Sequence, residues 1–407
     1  SAATRNRGRC FRRETALPEP RKTHNIISGL CPDTENNDVK NKIIQTTSFI
    51  APTLARLRPD SFRLLPKRKF KGNGIQIRRQ RPRTAANGFE KQDEASETFK
   101  NIIVKYNIIN DMIRHKLSGA GAAIPTPFTP DGRVDYPALA RTIDYIIDGG
   151  VDFIVALGTT AETPTLYLHE RAVVAMFIKN HIAGRVPLVI GVGGNSTSEV
   201  LDQLREFDLR GADAILSVTP YYNKPSQEGL YQHFKTVSEH SPLPIILYNV
   251  PGRTGVNMTA ATTIRIAGDF PNVIGIKEAS GKIDQIQEIL DWRSRDFLVL
   301  SGDDALTLDL MSRGADGVIS VAVNAFPRKM MTCIDLAKKG DFEGARKAYE
   351  CLEEAVTALF AEGNPTGVKC AMSVLGLIGN TLRLPLVPGT PQLEARFKEL
   401  IAKYDLN

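Results

Sequence analysis

From Gly119 onward the chain alternates short apolar runs with amphipathic stretches of helical length, and this repeat constrains the fold more than any other feature. Such a pattern is typical of a parallel sheet built from strand-helix units. Eight apolar runs can be identified: Gly119 to Phe128, Val151 to Thr160, Pro187 to Gly194, Ala212 to Tyr222, Pro244 to Val250, Val273 to Ser280, Phe297 to Asp303 and Gly317 to Asn324. The sequence therefore predicts an α/β fold with eight parallel strands.

A parallel sheet of this kind either closes into a barrel or stays open as a doubly wound sheet. Open dinucleotide-binding sheets carry a Gly-x-Gly-x-x-Gly turn after the first strand, and no such turn follows the first run here. After Asn324 the strand pattern stops, and Arg328 to Leu377 and Leu393 to Tyr404 are typical of helices. We predict a (β/α)₈ TIM barrel over residues 116–325 and a C-terminal helical region over residues 326–407.

Residues 1–115 differ from the rest in charge and in pattern. They hold 24 Lys and Arg against 11 Asp and Glu, whereas the remaining residues hold 28 against 34. They lack sustained periodicity, and a run such as Arg78 to Arg83 cannot bury an apolar face. We predict a basic N-terminal extension of low order. Three origins stay open: a targeting peptide, a basic arm that binds nucleic acid, or non-native sequence ahead of a start at Met112.

Charge, cysteine and histidine patterns exclude several classes of function. The acidic part of the chain would repel nucleic-acid phosphates, and the apolar runs are far shorter than the roughly 20 residues of a membrane helix. The cysteines form no Cys-x-x-Cys pair, and the histidines fall in predicted helices, where we expect them to be exposed or lightly packed. We expect a cytoplasmic protein with no metal, no organic cofactor, and no nucleic-acid or membrane partner.

Lys277 is the most informative single residue, because it lies near the carboxyl end of the sixth run, where TIM barrels hold their active sites. Strand alternation places Val273, Gly275 and Lys277 on one face. Ile274 and Ile276 take the other face, which suits the helix-covered exterior. Lys277 would then point into the barrel, where burial favours the neutral amine that attacks a ketone to form a Schiff base. The alternative is a lysine that extends to solvent or pairs with Glu278.

Polar residues also end other runs. Tyr248 could relay protons to a ketone oxygen if Thr159 and Tyr222 supplied supporting hydroxyls. The Gly158-Thr159-Thr160 turn offers hydroxyl and N–H groups suited to a small carboxylate, and Arg253 could bind a carboxylate with its planar fork. Each residue alone is more often a packed or solvated side chain, so the prediction depends on their coincidence.

Five motifs follow one another along the chain: Gly158-Thr159-Thr160-Ala161-Glu162, Thr219-Pro220-Tyr221-Tyr222-Asn223-Lys224-Pro225, Tyr248-Asn249-Val250-Pro251-Gly252-Arg253-Thr254, Gly275-Ile276-Lys277-Glu278-Ala279 and Ser301-Gly302-Asp303-Asp304. With these motifs, the region from about Lys116 to Asn407 resembles the dihydrodipicolinate synthase family of Schiff-base, class I aldolases. The resemblance implies a lyase that condenses pyruvate with aspartate 4-semialdehyde to give 4-hydroxy-tetrahydrodipicolinate. That step opens lysine biosynthesis through diaminopimelate.

The resemblance also implies roles for particular residues. Lys277 would form the Schiff base with pyruvate. The proton relay would consist of Thr159, Tyr222 and Tyr248, with Tyr222 reaching across from a neighbouring subunit, so the resemblance implies a homo-oligomer, either a dimer or a tetramer. The substrate-binding residues would be Thr160 for the pyruvate carboxylate, Arg253 for the second carboxylate, Ile319 through its carbonyl near the lysine, and Gly302.

Regulation and the choice of second substrate are less constrained. The family's regulatory pattern for lysine is matched at Asn195, Glu199 and Tyr221. Leu168 and Arg171, however, stand where lysine-sensitive members often carry histidines, so feedback inhibition stays open. The nearest alternative activity is that of a sister aldolase, such as N-acetylneuraminate lyase or a keto-deoxy sugar acid aldolase. Arg253 and the paired tyrosines argue against that alternative.

Overall fold

The computed structural model describes residues 112–406, which form a closed barrel of eight parallel strands in sequential order. The strands are β1 (Gly119–Ala123), β2 (Phe153–Ala156), β3 (Leu188–Gly191), β4 (Ala214–Val218), β5 (Ile245–Asn249), β6 (Val273–Glu278), β7 (Leu298–Ser301) and β8 (Gly317–Ser320). Pairing of β1 with β8 closes the ring. Each strand lies inside one predicted run, and the predicted (β/α)₈ TIM barrel is confirmed.

Helices surround the barrel and continue beyond its last strand. They are α1 (Tyr136–Asp148), α2 (Leu168–Ile182), α3 (Thr197–Glu206), α4 (Gln227–His240), α5 (Pro251–Thr254), α6 (Ala260–Asp269), α7 (Ile283–Trp292), α8 (Thr307–Ser312), α9 (Pro327–Lys338), α10 (Phe342–Ala361), α11 (Thr366–Val374) and α12 (Pro391–Tyr404). As predicted, the chain after β8 is helical, and α10, α11 and α12 pack against one another. None of the helices among residues 112–406 combines the length and apolarity needed to cross a bilayer. We predicted low order for residues 1–115. Of these, residues 1–111 lie outside the described part of the chain.

Local sequence explains where several of these helices begin. Asp135, Thr259, Asp341 and Thr390 precede α1, α6, α10 and α12, and each side chain accepts a hydrogen bond from a backbone N–H group of the first turn. Such caps satisfy donors that have no partner within the helix. The short polar residues between apolar segments therefore set the helix starts.

Two apolar layers stabilise the barrel. A cluster that includes Phe153, Leu216 and Leu300 fills the space enclosed by the ring of strands. A larger cluster lies between the strands and the helices. This division is usual for TIM barrels and leaves the carboxyl ends of the strands free for function.

The alternation predicted for β6 is wrong at two residues, Val273 and Ile274. Ile276 packs among the helices as expected, but Ile274 belongs to the interior cluster and Val273 belongs to the cluster between strands and helices. The cause is an irregular register, because Val273 and Gly275 pair with consecutive residues of β5 and Ile274 is left as an extra residue. A bulge of this kind turns two successive side chains toward one face. The expected interior position of Lys277 is nevertheless kept.

The prediction that the histidines are exposed or lightly packed is wrong for His233. This residue of α4 is only 5% exposed, and its Nδ1 lies 2.9 Å from the Thr197 hydroxyl of α3. Burial lowers the pKa of His233 to about 4. His233 is therefore a neutral packing residue between two outer helices, away from the strand ends.

Candidate active site

A cavity of about 270 Å³ lies at the carboxyl ends of the strands, on the side of β2 to β5. Four of the predicted site residues line it: Thr159, Tyr221, Tyr248 and Arg253. Aliphatic residues such as Leu216, Val218 and Val250 form much of the remaining wall. An apolar cavity with a few converging polar groups at this end of a TIM barrel is the expected form of an active site.

Lys277 is not itself a lining residue of the cavity, but it lies beside Tyr248, which is. They occupy paired positions on β6 and β5, and the Lys277 Nζ atom lies 4.5 Å from the centre of the Tyr248 ring. Lys277 is 5% exposed and Tyr248 is 6% exposed. Among the described residues no ion pair or hydrogen bond involves Lys277 Nζ, and Glu278 instead accepts hydrogen bonds from Asn249 and Ser280. The alternative of a solvated or Glu278-paired lysine therefore does not apply.

Gly302 provides room for the lysine side chain. A Cβ atom at Gly302 would lie 3.1 Å from Lys277 Cε and 2.5 Å from the Cβ atom of Ala279. The residue predicted to contact substrate thus lies against the lysine itself. Ile319, on β8, is fully buried in the same interior cluster as Tyr248.

The threonine turn follows β2 as a short 3₁₀ segment, Thr159–Ala161. Thr159 is half-buried and lines the cavity, whereas Thr160 is buried and its Oγ1 atom accepts a hydrogen bond of 3.0 Å from Asn364 Nδ2. Glu162 closes the turn with φ 55°, a left-handed conformation that a side chain adopts only when its surroundings hold it there. The turn is therefore fixed by contacts from outside its own sequence.

A buried ion pair supplies one of these contacts. Glu162 and Lys369 are both fully enclosed, and Lys369 Nζ donates to Glu162 Oε1 and to the Thr381 carbonyl at 3.0 Å. The backbone N–H group of Arg383 donates to Glu162 Oε2 at 3.0 Å. Burial lowers the pKa of Lys369 to about 8, against the opposing effect of Glu162. The pair links the threonine turn to the C-terminal helices.

Sequence reasoning missed both C-terminal contacts. Lys369 had a usable signal, since it is the single charged residue in the apolar stretch from Val368 to Met372 of α11. Asn364 had none, because it stands in an ordinary polar loop between α10 and α11. Its backbone carbonyl accepts a hydrogen bond of 3.0 Å from Arg253 Nη2, so the same residue contacts two sides of the site.

Tyr222 is not brought into the cavity by its own chain. Its side chain is 87% exposed, and its backbone has φ 72°. Within the described residues, no hydrogen bond joins the hydroxyl groups of Thr159, Tyr222 and Tyr248. The single chain therefore assembles Thr159 and Tyr248 at the cavity and leaves Tyr222 at the surface.

Of the three residues that match the regulatory pattern, Tyr221 lines the same cavity, whereas Asn195 and Glu199 are not among its lining residues. Tyr221 and Arg171 line it, and burial lowers the pKa of Arg171 against the opposing charges of Tyr221 and Glu199. The Asn195 carbonyl accepts a hydrogen bond of 2.9 Å from Asn223. Arg171 therefore lies close enough to Tyr221 and Glu199 for their charges to act on it. A regulatory role for Asn195, Glu199 and Tyr221 stays a prediction.

Comparisons with known proteins agree with the motifs. The Dihydrodipicolinate synthetase family matches residues 116–404. A 4-hydroxy-tetrahydrodipicolinate synthase of Parabacteroides distasonis is 49% identical over 290 residues, which is 71% of this chain and 98% of that protein. The dihydrodipicolinate synthase structure from Aquifex aeolicus is 42% identical with a TM-score of 0.69, covering 71% of this chain and 99% of that one. The chloride-inhibited enzyme from Acinetobacter baumannii, complexed with pyruvate, is 40% identical with a TM-score of 0.69, covering 72% and 100%. The chain belongs to the dihydrodipicolinate synthetase family and is an enzyme, an aldolase-type lyase.

Proposed function

We propose that this enzyme is a 4-hydroxy-tetrahydrodipicolinate synthase that binds pyruvate as a Schiff base on Lys277 and condenses it with aspartate 4-semialdehyde. The observation that carries the proposal is the amine of Lys277, buried beside the Tyr248 ring without an ion-pair partner among the described residues. An amine in such surroundings is suited to nucleophilic attack on a carbonyl carbon. Family membership and the pyruvate complex of the Acinetobacter baumannii relative support the choice of keto acid.

The proposed chemistry starts with attack of the Lys277 amine on the ketone carbon of pyruvate. Loss of one water molecule from the carbinolamine gives the imine, and loss of a methyl proton gives the enamine. The enamine carbon then bonds to the aldehyde carbon of the second substrate, whose oxygen takes up a proton. Finally the amino group of the semialdehyde attacks the imine carbon, which closes the ring and releases Lys277.

Tyr248 is the proposed proton carrier, because it is the hydroxyl-bearing residue next to the lysine. Thr159 and Tyr222 would complete the relay. Since Tyr222 is exposed at the surface of its own chain, we propose that it enters the cavity of a second copy in a homo-oligomer, a dimer or a tetramer. The relay would then be complete only in the assembled enzyme.

Carboxylate binding is assigned to two other places. The Thr159-Thr160 turn would bind the pyruvate carboxylate with hydroxyl and backbone N–H groups. Arg253, which lines the cavity, would bind the carboxylate of aspartate 4-semialdehyde. Gly302 would keep the space around the lysine open, and the Ile319 carbonyl would lie near the reacting amine.

Borohydride trapping tests the proposal. The enzyme is incubated with pyruvate and sodium borohydride, digested, and mapped by peptide mass. The reduced pyruvate adduct should appear on the peptide that contains Lys277, should be absent from Lys277→Ala, and should persist in Lys282→Ala, which removes an exposed lysine nearby. No adduct, or an adduct on another lysine, would refute the mechanism.

Substrate assays distinguish the two aldolase activities. Turnover of pyruvate with aspartate 4-semialdehyde is the expected result, with none for pyruvate and N-acetylmannosamine. Turnover of the sugar alone would make the enzyme a sister aldolase. That result would refute the assignment of the second substrate but not the Schiff base on Lys277.

A further inference from the structure

Asn364 lies between two groups that face the substrates in the proposed function. Its side-chain Nδ2 donates to Thr160 Oγ1 at 3.0 Å, and its backbone carbonyl accepts from Arg253 Nη2 at 3.0 Å. It stands in the loop between α10 and α11, more than 200 residues after the threonine turn. One residue of the C-terminal region thus contacts both proposed carboxylate-binding groups.

The direction of the hydrogen bond to Thr160 has a chemical consequence. A hydroxyl group has one hydrogen to donate and can accept at its oxygen. When Asn364 donates to the oxygen, the Thr160 hydrogen points away from Asn364 and is free for another acceptor. A carboxylate is an acceptor only, so a free hydroxyl hydrogen is what its binding requires.

The amide oxygen of Asn364 indicates that packing alone does not explain why an asparagine occupies this position. Its Oδ1 atom is buried and has no hydrogen-bond partner among the described residues. An unpaired buried acceptor is unfavourable, so an apolar residue would suit a position that served only to fill space. Within residues 112–406, the bond donated to Thr160 is the hydrogen bond that the Asn364 amide makes.

We infer that Asn364 is a positioning residue, which holds the Thr160 hydroxyl with its hydrogen directed to the carboxylate of the keto acid. This inference rests on the proposed function and deepens it, because it names how the C-terminal region contributes to pyruvate recognition. The Arg253 contact uses the backbone carbonyl and is independent of the Asn364 side chain. Side-chain variants should therefore affect pyruvate more than the second substrate.

The test compares Asn364→Asp with Asn364→Ala, each alone and combined with Thr160→Val. An aspartate of nearly the same size would accept the Thr160 hydrogen and remove it from the substrate, whereas alanine leaves the hydroxyl free. We expect the pyruvate KM of Asn364→Asp to exceed that of Asn364→Ala by about 10-fold or more. The KM for aspartate 4-semialdehyde should differ by less than about 3-fold between them.

The Thr160→Val background separates the hydroxyl effect from the added negative charge. Without the hydroxyl, the pyruvate KM ratio of the two Asn364 variants should fall to less than about 3-fold. An equal KM for the two single variants, or a ratio that is unchanged in the Thr160→Val background, would overturn the inference. Borohydride trapping of the unchanged enzyme is run alongside, since a missing pyruvate adduct there would refute the proposed function itself.

Discussion

The strand-end region and the C-terminal region contribute to the site in different ways. Lys277 and Tyr248 are neighbours because their strands pair, so the barrel backbone alone sets their distance. Thr160 and Glu162 are held by side chains of Asn364 and Lys369, which follow them by 204 and 207 residues. The position of the nucleophile therefore depends on the register of the sheet. The conformation of the carboxylate-binding turn depends instead on tertiary contacts that single substitutions can remove.

The largest effect is expected from Tyr248→Phe, which changes the strand-end region without altering its packing. Because the Tyr248 hydroxyl makes no hydrogen bond to another of the described residues, the thermal stability of the variant should stay nearly constant. Loss of the proposed proton carrier should lower kcat by about 10²- to 10⁴-fold. Steady-state kinetics measure kcat for Tyr248→Phe and for the control variant Tyr231→Phe. The Tyr231 hydroxyl donates to Asp269 of α6. Equal kcat values in the two variants would mean that Tyr248 only packs beside the lysine.

The corresponding change in the C-terminal region is Lys369→Met. Removing one partner leaves Glu162 buried without its counter-ion, which should lower the free energy of unfolding by about 3–5 kcal/mol. Chemical denaturation measures the loss, and adding Glu162→Gln should recover part of it. Arg396→Met breaks the solvent-screened pair with Glu354 and should lower the free energy of unfolding far less than Lys369→Met does. Similar losses of unfolding free energy for Lys369→Met and Arg396→Met would mean that the buried ion pair stabilises the protein no more than the surface pair does.

This contrast also explains how much could be predicted from the sequence. The strands, Lys277 and Tyr248 were predictable because alternation and motif spacing act within single βα units. Val273 and Ile274 were placed on the wrong faces because a bulge depends on the register of the neighbouring strand. Asn364 was missed, since no local pattern connects residues that lie so far apart in the chain.

A smaller effect is expected from adding a methyl group beside the lysine. In Gly302→Ala the new Cβ atom would meet Ala279 at 2.5 Å and Lys277 Cε at 3.1 Å, so the backbone around Ala279 must shift and the lysine side chain is crowded. Overpacking of this kind costs about 1–3 kcal/mol, and kcat/KM should fall about 10-fold. Gly268→Ala in α6 is the matched control, because its new Cβ atom would meet nothing within 4 Å and the residue does not line the cavity. A loss of kcat/KM as large in Gly268→Ala would show that the lysine is not the sensitive group.

The smallest effect concerns the pH dependence of a link between α2 and the C-terminal region. Hydrogen bonds from Arg383 hold the pKa of Glu170 at about 2, below its ordinary value of 4.5. Because the folded chain lowers this pKa, the contribution to stability is present above pH 4.5 and is lost as the pH falls toward 2. Glu170→Gln should therefore be less stable than the unchanged enzyme by about 1 kcal/mol at pH 7, and the gap should close in acid. Thermal unfolding at pH 7, 4.5 and 3 measures it, with the exposed Glu353→Gln as control. A gap of constant size would show that lost packing, and not the ionised carboxylate, accounts for the difference.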